Sequence, residues 1–171
     1  MIKMIIAVTG TPGTGKTTLS KELALKMNLE YIDVNEIINS NKKIILENDE
    51  KRQTCIVDDA LLMNILEKKV LEFRKKGRKK FSGLLIDSHI SHMLDSKFID
   101  VCIVLSCDLK ELKNRLISRK YNKLKIKENL EVEAFDEILE EAKSYGHNIL
   151  NLRTENGYNI EEIIKEIRNK K

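Results

Sequence analysis

Residues 10–17 read Gly-Thr-Pro-Gly-Thr-Gly-Lys-Thr. They match the G-x-x-x-x-G-K-[ST] phosphate-binding loop at every fixed position. Each residue type has a physical task there. Gly10, Gly13 and Gly15 let the backbone curl and turn its N–H groups inward, with Thr14 inside the same bend. A helix beginning near Lys16 brings its positive end to the same point. Lys16 adds a mobile positive charge for β- and γ-phosphates, and the Thr17 hydroxyl is placed to ligate Mg²⁺. The chemistry this predicts is binding of a nucleoside triphosphate, ATP being the default.

Further candidates lie downstream. Asp87 closes the apolar run Leu84-Leu85-Ile86. At a strand end it can meet the metal that bridges the phosphates, or it can cap the next turn. His89 could orient a water or bond a phosphate oxygen, or be a loop histidine without a role. Arg115 and Arg119, four residues apart, share one helix face near the expected site mouth. Guanidinium forks suit phosphate oxygens and the charge that spreads during phosphoryl transfer, although surface arginines on helices are common. No Ser-His-Asp set and no activated cysteine is present, and phosphoryl transfer needs neither.

The elements that must position these residues follow from periodicity. Strand-length apolar runs occur at 5–9, 31–33, 83–87, 100–106 and 148–152. Helical patterns separate them: one after the loop, one between Asp58 and Lys76, one through Leu109, Leu112 and Leu116, one from Leu130 to Ala142, and a carboxy-terminal one through Ile160, Ile163, Ile164 and Ile167. Alternation of this kind predicts β-α-β units and a doubly wound parallel sheet. Ligands then lie beyond the carboxyl ends of the strands, where the glycine-rich loop falls. Residues 35–52, polar and irregular, and residues 119–127, strongly basic and between two helices, interrupt the alternation and read as movable flaps over the site.

Composition bounds the rest. A chain of 171 residues with 42% hydrophobic and 34% charged residues suits one folded domain, residues 1–171. No apolar stretch approaches 18 residues and no signal-peptide pattern opens the chain, so a cytoplasmic address, or a nuclear one in a eukaryote, and no membrane association are expected. Cys55, Cys102 and Cys107 form no C-x-x-C pair, and with His89, His92 and His147 they complete no zinc pattern. Net charge is +4, with six basic residues in the seven from Arg74 to Lys80. That run is either a solvated helix end or a contact for a phosphate-rich partner such as RNA.

A phosphate loop alone does not separate kinase, GTPase and ATPase. The N-K-x-D element that reads guanine is absent. The segments GTPGTGKTT (10–18, ending in Thr18), YIDV (31–34), IDSH (86–89), RLISRKYN (115–122) and KENLEVE (127–133) resemble the adenylate kinase isoenzyme 6 family, over about residues 4–145. The resemblance implies a three-layer α/β/α P-loop kinase of the nucleoside monophosphate kinase type with a five-stranded parallel sheet. It implies an NMP-binding segment near 33–57 and a lid near 118–128. The implied activity is transfer of the ATP γ-phosphate to AMP with Mg²⁺, together with ATPase activity. Partners implied are the ribosomal protein uS11 and the small ribosomal subunit, close to rRNA, during its late maturation. By position, Gly13, Gly15, Lys16, Thr17 and Thr18 would bind ATP, Arg119 would be the lid arginine, and Asp87 and His89 would form a D-x-H element. Between Val34 and Asp58 the only arginine is Arg52.

Overall fold

The computed structural model describes residues 3–76 and 80–170. Five strands, β1 (Met4–Gly10), β2 (Leu29–Asp33), β5 (Gly83–Asp87), β6 (Val101–Ser106) and β7 (Ile149–Arg153), form one parallel sheet in the order β2-β5-β1-β6-β7. β1 lies in the middle and every one of its residues is buried. Its Met-Ile-Ile-Ala-Val run is apolar throughout because both faces are covered.

One face packs against α3 (Asp59–Lys76) and α6 (Glu137–Ser144). Leu62, Leu66, Val70 and Phe73 of α3 and Ala142 of α6 meet Ile5, Ala7, Leu84 and Ile86 there. The other face packs against α1 (Lys16–Lys26) and α7 (Ile160–Asn169), through Leu19, Leu23, Ile163, Ile164 and Ile167. The expected three-layer α/β/α arrangement with five parallel strands is the observed one. A third, small cluster joins Cys107 to Leu112 and Leu116 of α4 (Leu109–Ser118), with Tyr121 and with Ile126 and Leu130 of α5 (Lys123–Ala134) against it. It sits at the carboxyl end of the sheet and carries α5 over the glycine-rich loop.

Two expectations need correcting. Residues 35–52 are not irregular. They form α2 (Val34–Ser40), a 3₁₀ turn, and the antiparallel hairpin β3 (Ile45–Asp49) and β4 (Thr54–Val57). The hairpin is half-exposed on both sides, so it lacks the sharp alternation of a strand with one buried face. The helical pattern from Leu130 to Ala142 is two helices. Asp136 adopts a left-handed backbone (φ 51°) that ends α5 and starts α6 without a glycine or proline to mark the break. Of the basic run, Gly77, Arg78 and Lys79 fall outside the described residues, and Arg74 donates to the carbonyls of Lys97 (3.4 Å) and Phe98 (3.1 Å).

Gly83 is placed by close approach of neighbouring strands. A β-carbon there would lie 2.3 Å from the Met4 carbonyl oxygen and 2.9 Å from Leu29 Cδ2. The carbonyl belongs to the central strand and cannot move aside. Gly83→Ala is therefore expected to lower unfolding free energy by about 3 kcal/mol. Urea denaturation measures this, and a midpoint equal to the parent's at unchanged slope would refute it.

Candidate functional site

The loop after β1 is held in three ways. Gly10 (φ 138°) passes so close to β6 that a β-carbon would meet the Leu105 carbonyl oxygen at 2.3 Å. Gly13 (φ 99°) rests on Leu112 and Leu116. Gly15 (φ 98°) is the N-cap of α1 and leaves that helix without a side-chain cap. The first-turn amides of α1 are thus left for an external acceptor. Within the loop, the Thr14 hydroxyl donates to the Thr11 carbonyl at 2.8 Å.

Lys16 curls back into this bend. Its ammonium donates to the carbonyls of Gly10 (2.6 Å) and Thr11 (3.0 Å). Burial pushes it down to about 8, against the upward pull of Asp87, while Arg119 lowers it further and Glu133 raises it. Asp87, at the end of β5, accepts from the Tyr31 hydroxyl at 2.9 Å and from the Thr17 hydroxyl. Burial raises the Asp87 carboxyl above its usual range in spite of these bonds and of Lys16. His89 stands two residues on, its ring open to the cleft. Desolvation, with Lys16, His92 and Lys125 near, holds it down at about 4, so it is a neutral imidazole at pH 7.

These groups line one cleft of about 780 Å³. Gly13, Gly15, Lys16 and Thr17 form its floor, Asp87 and His89 one wall, and Arg119 the rim, together with α2, the β3–β4 hairpin, α5 and α6. Gly10 and Thr14 are buried beneath the floor rather than on it, and Thr18 is exposed on α1 outside the lining. Arg115 is not brought to the cleft. It donates to Glu111 at 2.8 Å, to the Thr154 hydroxyl and carbonyl at 3.3 Å each, and to the Gly13 carbonyl at 3.5 Å. Its guanidinium props the loop from behind, and only Arg119 of the pair faces the space above Lys16.

Sequence reasoning passed over two contributors. Glu133 of α5 accepts from the Thr11 hydroxyl at 2.5 Å and from the Cys107 amide at 2.6 Å, tying the lid helix to the loop and to the end of β6. Burial raises its carboxyl. His92 is buried between Thr9 (Oγ1 to Nδ1, 2.8 Å) and Glu141 (Oε2 to Nε2, 2.9 Å), which joins β1 to α6 behind the cleft. Glu133 closes the stretch from Lys127 that carries the resemblance, and that was the only signal for it.

The hairpin and the lid touch across the cleft. Arg52 donates to Asp49 at 3.0 Å and to Glu128 of α5 at 2.9 Å. The Asn122 amide donates to Gln53 Oε1 at 2.9 Å and its side chain to the Lys51 carbonyl at 2.8 Å. Lys125 Nζ donates to the Gln53 carbonyl.

Among the described residues no group of three or more His, Cys, Asp or Glu side chains could cage a metal ion. The adjacent Thr17 hydroxyl and Asp87 carboxylate suit instead a hard cation that takes most of its oxygens from phosphates and water.

Fold and cleft together define a P-loop nucleotide kinase, a sheet with a glycine-rich phosphate cradle roofed by two movable-looking flaps. The AAA domain family model matches residues 6–136. The chain is 33% identical to the "Adenylate kinase isoenzyme 6 homolog" of Caenorhabditis elegans, covering 95% of this chain and 86% of that one. It is 37% identical to a protein of Methanosarcina barkeri and 39% identical to one of Thermococcus kodakarensis, both named "Putative adenylate kinase". Those alignments cover 96% and 97% of this chain and 84% of each relative. The crystal structure of a putative kinase from Chloroflexus aurantiacus shares the fold with a TM-score of 0.64 at 18% identity, with all of both chains covered. The chain belongs to the adenylate kinase isoenzyme 6 family and is an adenylate-kinase-like nucleotide kinase.

The depressed Lys16 sets a pH dependence. In the ligand-free fold the ammonium loses its proton near pH 8, whereas a bound polyphosphate stabilises the charged form. Binding above pH 8 must then take up a proton. The affinity for MgATP is expected to fall by roughly tenfold per pH unit above that point and to be flat below it. Calorimetry in buffers of different ionisation enthalpy measures the uptake; none at pH 9 would refute the assignment.

Proposed function

We propose that this protein transfers the γ-phosphoryl group of ATP to AMP, giving two ADP. The observation that carries the reading is the convergence of Lys16, Arg119, Thr17 and Asp87 on one cleft roofed by α5 and by the β3–β4 hairpin. The glycine-rich loop and α1 hold the β- and γ-phosphates, and Thr17 with Asp87 would hold Mg²⁺, which would supply charge neutralisation on the phosphate oxygens. An AMP phosphate oxygen attacks the γ-phosphorus and the bond from that phosphorus to the β,γ-bridging oxygen breaks. Charge moves toward the bridging oxygen, where Lys16 and Arg119 offset it. The attacking oxygen is already anionic, so no base has to deprotonate it. This suits a neutral His89, which positions a phosphate oxygen or a water by hydrogen bonding. Arg115, bonded to Gly13 and Thr154, acts as a positioning residue for the loop.

Residues 33–57 are the acceptor segment and 118–128 the lid in this reading. Arg52 is the acceptor segment's one arginine, and Glu128 and Asp49 share its guanidinium where an acceptor phosphate would sit. Both partners are exposed and water competes for each, so a dianionic phosphate can displace Glu128. The same hairpin–lid contacts, made and broken with nucleotide, would give the family's implied ATPase switch something to move, and uS11 on the small ribosomal subunit is the partner we propose for it. The exposed Lys120, Lys123 and Lys127 on the lid support that role beside rRNA. Retention of uS11 by the immobilised protein at low salt tests it, and failure to retain it with ATP, ADP or no nucleotide would end that part of the proposal.

A coupled assay for ADP formed from ATP and AMP tests the kinase reading, with the other nucleoside monophosphates as alternative acceptors. Lys16→Ala is expected to reduce turnover by at least about a hundredfold. Arg119→Ala is expected to lower kcat far more than ATP affinity, because its charge matters most in the transition state. No turnover with any monophosphate, while ATP still binds, would overturn the reading.

The acceptor arginine has its own test. Glu128→Gln releases the Nε side of the Arg52 guanidinium, Asp49 still holding Nη1, and is expected to lower KM for AMP by about threefold, whereas Arg52→Ala raises it by about tenfold with little change in KM for ATP. Equal effects on both substrates would show that the pair only closes the lid.

A further inference from the structure

A second concave surface lies on the outer side of the lid, independent of the nucleotide reading. α4 and α5 diverge to form an open groove of about 920 Å³. Leu109 and Ile117 of α4 line one side, Ile126 and Leu130 of α5 the other, and Phe135 one end. Three of these are far more exposed than large apolar side chains usually are: Phe135 72%, Ile117 52% and Leu109 43%. α5 buries no residue fully, although it carries Leu124, Ile126, Leu130 and Val132. Exposed single leucines are ordinary on protein surfaces, but apolar side chains gathered into a trough are the mark of a contact site.

The rim supplies the second observation. Lys113, Lys123 and Lys127 border the trough against one carboxylate, Glu131. Lys127 reaches Glu131 at 3.6 Å, while Lys113 and Lys123 make no ion pair among the described residues. An apolar trough edged by unneutralised ammonium groups complements a ligand with an apolar stripe flanked by carboxylates. Its walls are the flanks of two helices and offer no strand edge, so β-strand addition is unsuited to it. Its length, set by α4 and α5, is that of about three helical turns. Its concavity favours a rod over a flat bilayer surface.

We propose that the α4–α5 groove is a docking site for an acidic amphipathic helix of a partner protein, with Phe135 as the apolar anchor at one end and Lys113 and Lys123 as the charge contacts. Tyr121 lines both this groove and the nucleotide cleft, so the docked helix lies one side chain away from the lid.

The test uses the full chain, immobilised and screened against a displayed library of helical peptides, with Phe135→Asp as the counter-selection target. Phe135 is exposed and takes no part in the cleft, so the variant is expected to fold. Circular dichroism and unchanged MgATP binding verify this. Peptides that survive should carry apolar residues at i, i+3, i+4 and i+7 and a net negative charge. Synthesised singly, they should bind at least about tenfold more weakly to Phe135→Asp, and also to the double variant Lys113→Glu, Lys123→Glu. Three results would overturn the proposal: no sequence enriched over the counter-target, enriched sequences that are neutral or basic, or tighter binding to anionic phosphatidylglycerol vesicles than to any selected peptide.

Discussion

The site turns on one half-buried cation that has only carbonyl oxygens for direct partners. The Lys16 ammonium is enclosed by the bend of its own loop and bonded to the Gly10 and Thr11 carbonyls. Its nearest counter-charges, Asp87 and Glu133, act through space without a direct bond. A lysine so placed is under-neutralised, and the environment lowers its proton affinity. The loop is therefore a standing positive potential wrapped in inward-facing amides. A polyphosphate relieves it, because the phosphate oxygens take over from the carbonyls as acceptors. Binding and the loop's own stability are thus linked through one group.

Everything around the loop resists its collapse onto that lysine. Leu105 blocks Gly10 from behind, Leu112 and Leu116 support Gly13, and Arg115 grips the Gly13 carbonyl while bonding Thr154 at the start of the segment after β7. The Thr154 hydroxyl donates to the Thr14 carbonyl at 2.8 Å. From above, Glu133 bonds Thr11 and the Cys107 amide. Strand β6, helix α4, the lid helix α5 and the β7–α7 connection all converge on six residues of loop. A site that must meet a transition state with little reorganisation needs support of this kind.

How much of this the sequence discloses depends on where the chain is buried. The three inner strands β1, β5 and β6 were legible to within one residue because both faces of the sheet are covered there, so their apolar runs are nearly unbroken, while the edge strands β2 and β7 mix polar residues into theirs. The glycine-rich loop was legible because its conformation needs glycines at fixed spacing. The β3–β4 hairpin was not, since an element that packs against little leaves no periodic trace. The α5–α6 break was hidden because an aspartate, and not a glycine, takes the left-handed position. The four-residue spacing of Arg115 and Arg119 placed both on one helix face, but Arg119 is the residue that caps the carboxyl end of α4. It could not show that Arg115 is drawn beneath the loop by Thr154, a partner nearly forty residues away. Glu133 likewise gains its place only from tertiary contacts with Thr11 and Cys107.

The contacts between the β3–β4 hairpin and α5 are of a kind that breaks easily. Each contact between hairpin and lid is solvent-exposed: the Arg52–Glu128 pair, the Asn122 bonds to Gln53 and Lys51, and the Lys125 bond to the Gln53 carbonyl. Exposed pairs and hydrogen bonds of this kind contribute little, because water competes for both partners. Closing the hairpin and the lid over the cleft also costs backbone entropy of comparable size. The hairpin is thus held against α5 by small terms only. A buried apolar seam at the same place would hold the flaps shut and trap product. The chain keeps its apolar surface on the far side of the lid, along α4 and α5, where it does not obstruct the opening.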